Sequence, residues 1–169
     1  MIQLYTGEGK GKTTAAIGQT VRAAGSGLRV IFAQFMKGND TGELSVLEQT
    51  EGVEICRSPK QFGFYNTLSA ADKMEMTRIH NEILDGILDK IQNQSCDMVI
   101  LDEITYPVNW GLLDVDKLKR ILACREVEIV MTGRDAASFL QDCADYITEM
   151  KCIRHPYEKG VAARKGIEY

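Results

Sequence analysis

The sequence predicts an α/β fold in which a mostly parallel sheet carries helices on both faces. Two observations support this prediction. Short apolar runs of strand length alternate with helical patterns along the chain. The clearest runs are almost continuously apolar, as in strands that are covered on both faces. Because 169 residues can bury a substantial core, we predict a single domain over residues 1–169.

The predicted elements follow one another in a regular order. The first strand begins with Ile2 and Leu4, and a glycine-rich segment separates it from a helix that ends near Gly25. A long helix is predicted from Ser69, which resembles the start of a capping box, to about Asn93. The remaining strands are predicted over residues 28–35, 53–56, 98–101, 128–132 and 146–150, shorter helices over 114–124 and 136–143, and an irregular stretch over 57–68.

The segment between the first strand and the first helix reads YTGEGKGKTTA over residues 5–15. Glycines let backbone N–H groups turn inward toward phosphate oxygens, and the following helix adds its positive N-terminal end. In such a loop Lys12 reaches the terminal phosphates and the Thr13 hydroxyl ligates Mg²⁺. We therefore predict phosphate binding by this glycine loop (residues 7–11), with an ordinary glycine-rich turn as the alternative.

The glycine loop departs from the strict pattern G-x-x-x-x-G-K-[ST]. Counting back from Gly11, the first glycine should occupy the position of Thr6, but the chain has Gly7. The loop is therefore a shortened or variant form. Because a triphosphate repels the carboxylate of Glu8, we expect this side chain to point to solvent or to assist Mg²⁺ through water.

An apolar run over residues 98–101 ends in two carboxylates, Asp102 and Glu103. The carboxyl ends of parallel strands meet at one edge of the sheet, where such folds bind ligands. Together with the glycine loop, the pair predicts completion of a Mg²⁺ shell, and Glu103 could otherwise polarise an attacking water. The segment that ends the second strand contains Gln34 and Lys37, so we expect both at the same edge.

Four further side chains have an ordinary structural interpretation, and for two of them ligand contact is the alternative. Arg134, after the strand over residues 128–132, either contacts phosphate or is a solvated arginine after a turn. Arg22 on the first helix reads as a surface residue. His80 is expected to be structural or exposed, and His155 either contacts a ligand or packs in the C-terminal segment.

Three aromatic residues, Phe62, Phe64 and Tyr65, lie in the irregular stretch. Exposed rings in a loop need apolar cover. They either plug the core from outside or form the floor of a site for a large, flat, apolar ligand.

Composition excludes several classes of function. A net charge of −4 without a basic block disfavours nucleic-acid binding. No apolar run reaches the roughly 20 residues of a membrane span, and the N-terminus lacks a signal region. The five cysteines form no C-x-x-C pair, so we expect free thiols and a cytoplasmic protein.

Taken together, these motifs resemble the P-loop type of ATP:corrinoid adenosyltransferase. The matching segments are TGEGKGKTTAA at 6–16, VRAAGSG at 21–27, QFMKG at 34–38, GFY at 63–65, MVILDEITY at 98–106, MTGR at 131–134 and IRHPYEKGVAARKGIEY at 153–169. The resemblance implies a three-layer P-loop NTPase (RecA-like) fold. It also implies transfer of the 5′-deoxyadenosyl group of ATP to the Co(I) centre of a corrinoid, with release of triphosphate.

The resemblance implies a role for particular residues. Lys12 and Glu103 would act in catalysis, and Thr13, Asp102 and Glu103 would hold Mg²⁺. Phe62, Phe64 and Tyr65 would contact the corrinoid, and Phe64 and Tyr65 would disfavour a lower axial ligand on cobalt. ATP would be bound by Gly7, Glu8, Gly9, Lys10, Gly11, Lys12, Thr13, Thr14, Arg22 and Arg134.

The chain also departs from the family pattern. Family members often read Gly-Phe-Thr-Trp where this chain has Gly63-Phe64-Tyr65, so the resemblance implies that Tyr65 replaces the tryptophan. Many relatives have an N-terminal extension that is not seen here, so we expect a more open corrinoid site or one completed by a partner subunit. A homodimer and an external reductant, a flavoprotein, are expected. Another small P-loop kinase or ATPase and a non-catalytic nucleotide- or corrinoid-binding regulator are the alternatives.

Overall fold

A computed structural model describes residues 1–36, 38 and 41–167. Within these residues one sheet is formed by β1 (Ile2–Thr6), β2 (Val30–Gln34), β3 (Val53–Arg57), β4 (Met98–Asp102), β5 (Glu128–Thr132) and β6 (Tyr146–Glu149). Every neighbouring pair is parallel, and the order across the sheet is β3-β2-β4-β5-β1-β6. The predicted α/β class and parallel sheet are therefore confirmed.

The helices connect these strands. They are α1 (Lys12–Gly25), α2 (Leu44–Leu47), α3 (Ala70–Gln92), α4 (Thr105–Asn109), α5 (Val115–Leu122) and α6 (Ser138–Cys143), with 3₁₀ turns at Tyr65–Thr67 and Pro156–Lys159. The short helices α2 and α4 were not predicted. Helices of four and five residues carry too few apolar positions for a periodic signal.

The core lies on both faces of the sheet, which gives three layers. On one face, α1 packs through Ala16 and Ala23 against strand residues such as Phe32 and Ile100. On the other face, α3, α5 and α6 pack against the opposite side of the strands, with Leu84, Leu118 and Leu140 fully buried. This arrangement is consistent with the expected RecA-like fold.

Helix α3 begins as its sequence predicts. The Ser69 hydroxyl accepts a hydrogen bond from the Asp72 amide at 3.1 Å and donates to the Asp72 carboxylate at 2.7 Å, so it caps the first turn. His80 on this helix is buried, and its Nδ1 lies 2.9 Å from the Leu112 carbonyl oxygen. Burial lowers the pKa of His80. Its role is therefore structural.

The sheet directs the candidate residues to one edge. The strands are parallel, so Thr6, Gln34, Asp102 and Thr132 all end at the same side of the sheet. The order places β5 between β1 and β4. Lys37, expected at this edge, lies outside the described residues.

No helix among the described residues combines the length and the apolar character needed to cross a bilayer. All five cysteines are free thiols, and burial raises the pKa of Cys56 to about 11.

Candidate active site

The glycine loop joins β1 to α1 and packs against the end of β6. Gly7 has a φ of 94°, in the left-handed region that favours glycine. A Cβ atom on Gly7 or Gly9 would lie 2.7 Å or 2.6 Å from the Met150 carbonyl oxygen. The Gly9 amide donates to the same oxygen at 2.6 Å. These glycines therefore serve the conformation of the loop and its close approach to the neighbouring strand.

Lys12 lies inside the glycine loop. Its side chain is buried, and Nζ donates to the carbonyl oxygens of Gly7 at 2.6 Å and Gly9 at 2.8 Å. Burial lowers the pKa of Lys12, and the positive charge of Arg134 lowers it further. The loop therefore holds a cation at its centre, in the place that the sequence predicts for phosphate binding.

A hydrogen-bond network surrounds Asp102, which is fully buried at the end of β4. Its Oδ1 accepts from the Thr13 hydroxyl at 2.9 Å and from the Thr132 hydroxyl at 2.7 Å. Its Oδ2 accepts a longer bond from Gln34 Nε2 at 3.4 Å. Three elements of the fold thus converge on one carboxylate, and the structure brings Thr13 and Asp102 together.

Glu103 adopts an unusual backbone conformation beside this network. Its φ is 62°, which residues other than glycine adopt only at an energetic cost. Such backbone strain is common at functional sites. The Glu103 amide donates to the Thr132 hydroxyl at 2.9 Å. Thr132 therefore connects the Asp102 carboxylate to the Glu103 backbone. Sequence reasoning missed Thr132, although it ends a buried strand at the ligand-binding edge.

The turn after β5 packs closely on α4. A Cβ atom on Gly133 would lie 1.9 Å from the Thr105 hydroxyl oxygen, so only glycine fits there. Thr105 is fully buried and its Oγ1 has no hydrogen-bond partner among the described residues. This hydroxyl was also missed by sequence reasoning, and it adds a polar group to the buried edge.

An exposed ion pair joins the glycine loop to the end of β5. Arg134 Nη1 lies 2.9 Å from Glu8 Oε2, and both side chains are about half exposed. Lys10 and Thr14 are exposed nearby. Arg22 lies exposed in the last turn of α1, about 15 Å along the helix axis from Lys12. The structure thus brings Arg134 to the loop but leaves Arg22 away from it, and ATP contact by Arg22 stays a prediction.

The aromatic segment is open and lies on the same side of the molecule. Phe64 is 87% exposed, so the interpretation that it plugs the core is wrong. Phe62 is half-buried, with Lys60 Nζ 4.7 Å from its ring centre. The Tyr65 ring stacks on Trp110, with centroids 4.2 Å apart and planes 14° apart. Trp110 was not predicted, although it is the sole tryptophan of the chain.

Trp110 links the aromatic segment to the polar network. It is the C-cap residue of α4, seven positions after Glu103, and the Tyr106 ring lies 5.1 Å from it. Burial raises the pKa of Tyr106, and the negative charge of Glu103 raises it further. A row of three rings, Tyr65, Trp110 and Tyr106, therefore leads from the open aromatic segment to the carboxylate beside the glycine loop. We call these three residues the aromatic row.

Comparison with known proteins agrees with this geometry. The profile of a family described as "ATP:corrinoid adenosyltransferase BtuR/CobO/CobP" matches residues 1–169. A corrinoid adenosyltransferase of Escherichia coli (strain K12) is 34% identical over 172 residues, covering 100% of this chain and 85% of the relative. One from Salmonella typhimurium is also 34% identical with the same coverage. A corrinoid adenosyltransferase of Sinorhizobium sp is 31% identical over 178 residues, covering 100% and 80%.

Both the full-length profile match and the 34% identity to a relative of which the chain spans 85% establish its family. The chain belongs to the ATP:corrinoid adenosyltransferase family.

Proposed function

We propose that the protein, as one domain over residues 1–169, transfers the 5′-deoxyadenosyl group of ATP to the Co(I) centre of a corrinoid. Triphosphate is released intact, and the product serves the synthesis or salvage of adenosylcobalamin. Family membership over the whole chain supports this function. The single structural observation that carries it is the aromatic row, which connects an open aromatic segment to the lysine-containing glycine loop at one sheet edge.

The reaction needs no nucleophile from the protein. The electron pair of Co(I) forms the cobalt–carbon bond at C5′, the C5′–O5′ bond breaks, and its electrons leave with the triphosphate. Charge therefore accumulates on the triphosphate, and preorganised donors there lower the barrier. Lys12 and the amides of the glycine loop are these donors. We expect Lys12 Nζ to exchange the Gly7 and Gly9 carbonyls for phosphate oxygens.

The residues present fit Mg²⁺. Thr13, Asp102 and Glu103 offer hard oxygen donors, which this ion prefers, and the Thr13 hydroxyl already lies 2.9 Å from Asp102. When bound, Mg²⁺ neutralises negative charge on the phosphates. The protein's part is to fix the donors: Thr132 holds Asp102 and the Glu103 backbone in one arrangement. Glu8, which forms an ion pair with Arg134, lies on the outer side of the glycine loop.

The aromatic segment has a role in reduction of the corrinoid. Phe62, Phe64 and Tyr65 would place apolar surface where a lower axial ligand otherwise binds cobalt. Losing that ligand favours four-coordinate Co(II), which accepts an electron more readily. The exposed ring of Phe64 and the stacked ring of Tyr65 are free to contact such a substrate.

The remaining expectations concern the surroundings of the enzyme. We propose a cytoplasmic homodimer whose reductant is a separate flavoprotein. Because Phe64 is so exposed, a partner subunit that covers the corrinoid site would give the ring apolar cover.

The test is anaerobic mixing of the protein with ATP, Mg²⁺ and chemically reduced cobalamin. We expect a light-sensitive cobalt–carbon product in the visible spectrum and one triphosphate for each product molecule. Release of inorganic phosphate without alkylated cobalt would instead identify a hydrolytic P-loop enzyme.

A further inference from the structure

A cavity of about 530 Å³ lies beside the aromatic row, between the start of α3 and the end of α4. Tyr65 and Trp110 form its aromatic wall, and Leu112 lies with them. Helix α3 contributes Lys73, Thr77 and Asn81. A space of this size accommodates a drug-sized group, so it fits part of a corrinoid and not the whole molecule.

The charge of the cavity wall is positive. Two cationic side chains, Lys73 and Arg78, line it, and none of the described residues brings a carboxylate to it. Arg78 is neutralised by Glu75 and Glu82, with which it forms salt bridges on the helix surface. Lys73 has no carboxylate within salt-bridge distance in the described part of the chain, and its Nζ lies 4.2 Å from the centre of the Tyr65 ring. The uncompensated charge of the cavity is therefore that of Lys73.

The cavity also has an oriented amide. Asn81 Oδ1 accepts a hydrogen bond from the Asp114 amide at 2.7 Å, which fixes the side chain and leaves its Nδ2 as the donor group. A cation and an amide donor beside aromatic rings suit an anion attached to a flat apolar body. The aromatic row places this wall next to the Glu103 end of the candidate active site.

We propose that this cavity binds an anionic group carried by a peripheral side chain of the corrinoid, with Lys73 as its charge partner, while the Tyr65 ring, stacked on Trp110, faces the ring system. The inference rests on the proposed function and deepens it, because it names a specificity-determining residue. The anion has two sources: the free carboxylates of an incomplete corrinoid such as cobyrinic acid a,c-diamide, and the phosphodiester of complete cobalamin. Cobinamide, which carries neither, is the matched ligand without the anion.

The experiment measures equilibrium binding of the Co(II) forms of these three corrinoids to the ATP-loaded protein, by titration of the visible spectrum. The variant Lys73→Met keeps the length of the side chain and removes its charge. We expect it to weaken binding of at least one anionic corrinoid by about 5- to 10-fold, since a charge-assisted hydrogen bond is lost. Cobinamide binding should change less than about 2-fold, the size expected of a solvated charge.

Two further variants control the measurement. Lys73→Arg keeps the charge and should restore most of the affinity for the anionic corrinoid. Lys90→Met removes a lysine from the same helix, about 25 Å along its axis, and should leave the affinity for all three corrinoids unchanged. Raising the salt concentration should reduce the difference between wild type and Lys73→Met, because a partly exposed charge is screened.

The outcomes separate this inference from the proposed function. Selective loss for cobyrinic acid a,c-diamide assigns the carboxylate, and selective loss for cobalamin assigns the phosphodiester. Unchanged binding, or an equal loss for all three corrinoids, overturns the inference while wild-type adenosylation still supports the function. Absence of adenosylation by the wild-type protein would reject the function itself, whatever Lys73→Met does to binding.

Discussion

The two halves of the candidate active site are built differently. The polar half, around Lys12 and Asp102, is buried, and its side chains are held by several hydrogen bonds to different elements. The aromatic half, around Phe64 and Tyr65, is open, and ring contacts hold it. A site that stabilises a leaving triphosphate needs fixed dipoles, whereas a large apolar substrate needs accessible surface. The contrast therefore matches the two tasks that we propose.

The largest expected effect comes from the centre of the polar half. Lys12→Ala removes the cation inside the glycine loop, and we expect kcat to fall by about 100- to 1,000-fold, because a preorganised charge at the leaving group is lost. Formation of the cobalt–carbon product from chemically prepared Co(I) measures this. Lys90→Met is the control, since that lysine is only partly buried and is paired with Glu54 at a distance from the loop. Activity of Lys12→Ala within a few-fold of wild type would show that the loop amides suffice.

A more selective change addresses the fixed geometry of the polar half. Thr132→Val keeps the shape of the side chain but removes the hydroxyl that joins Asp102 to the Glu103 amide. We expect a loss of about 10- to 100-fold in kcat, as for other residues that orient metal ligands. The KM for the corrinoid should stay the same, because the aromatic half is untouched.

The same hydroxyl also contributes to stability. Its removal leaves a buried carboxylate with one donor fewer, which costs about 1–3 kcal/mol. Denaturant unfolding measures this cost. Thr132→Ser restores the hydroxyl and should recover kcat and most of the stability. If Thr132→Ser is as impaired as Thr132→Val, the methyl group matters and the hydrogen bonds do not.

The aromatic half is tested by the oxidation state of the substrate. Tyr65→Ala removes one ring of the stacked pair with Trp110. We expect the rate of assays that start from Co(II) and a reductant to fall about 10-fold more than the rate of assays that start from Co(I), because only the former need the four-coordinate state. An equal loss in both assays would assign Tyr65 to binding alone. Tyr157→Ala, which changes an exposed tyrosine in the C-terminal segment, is the comparison variant.

The smallest effect is expected on the exposed outer side of the glycine loop. Glu8→Gln breaks the exposed ion pair with Arg134. We expect the free energy of unfolding to change by less than about 1 kcal/mol, since water and salt screen such pairs. Denaturant titrations at low and high salt measure it. A larger loss would mean that the pair fixes the glycine loop as firmly as the buried network fixes Asp102.

Much of the fold and part of the site followed from local sequence. A few adjacent residues encode each of three features: the glycine loop, the capping box at Ser69 and the apolar strand before Asp102. The structure has the corresponding elements. Their ends differ slightly: the strand predicted over residues 28–35 spans Val30–Gln34, and the helix predicted over 136–143 begins at Ser138. Helix and strand ends fray, and the residues there carry weak periodic signals.

By itself, the sequence determined which segments form strands and helices and which loop holds Lys12. Backbone preference and the spacing of apolar residues are properties of residues that are neighbours in the chain. Only the tertiary structure decided the strand order, the pairing of Thr132 with Asp102 across β5 and β4, and the stacking of Tyr65 on Trp110. These contacts join residues 30 and 45 positions apart in the chain. No short pattern encodes such contacts, since they exist only after the sheet has brought distant strand ends to one edge.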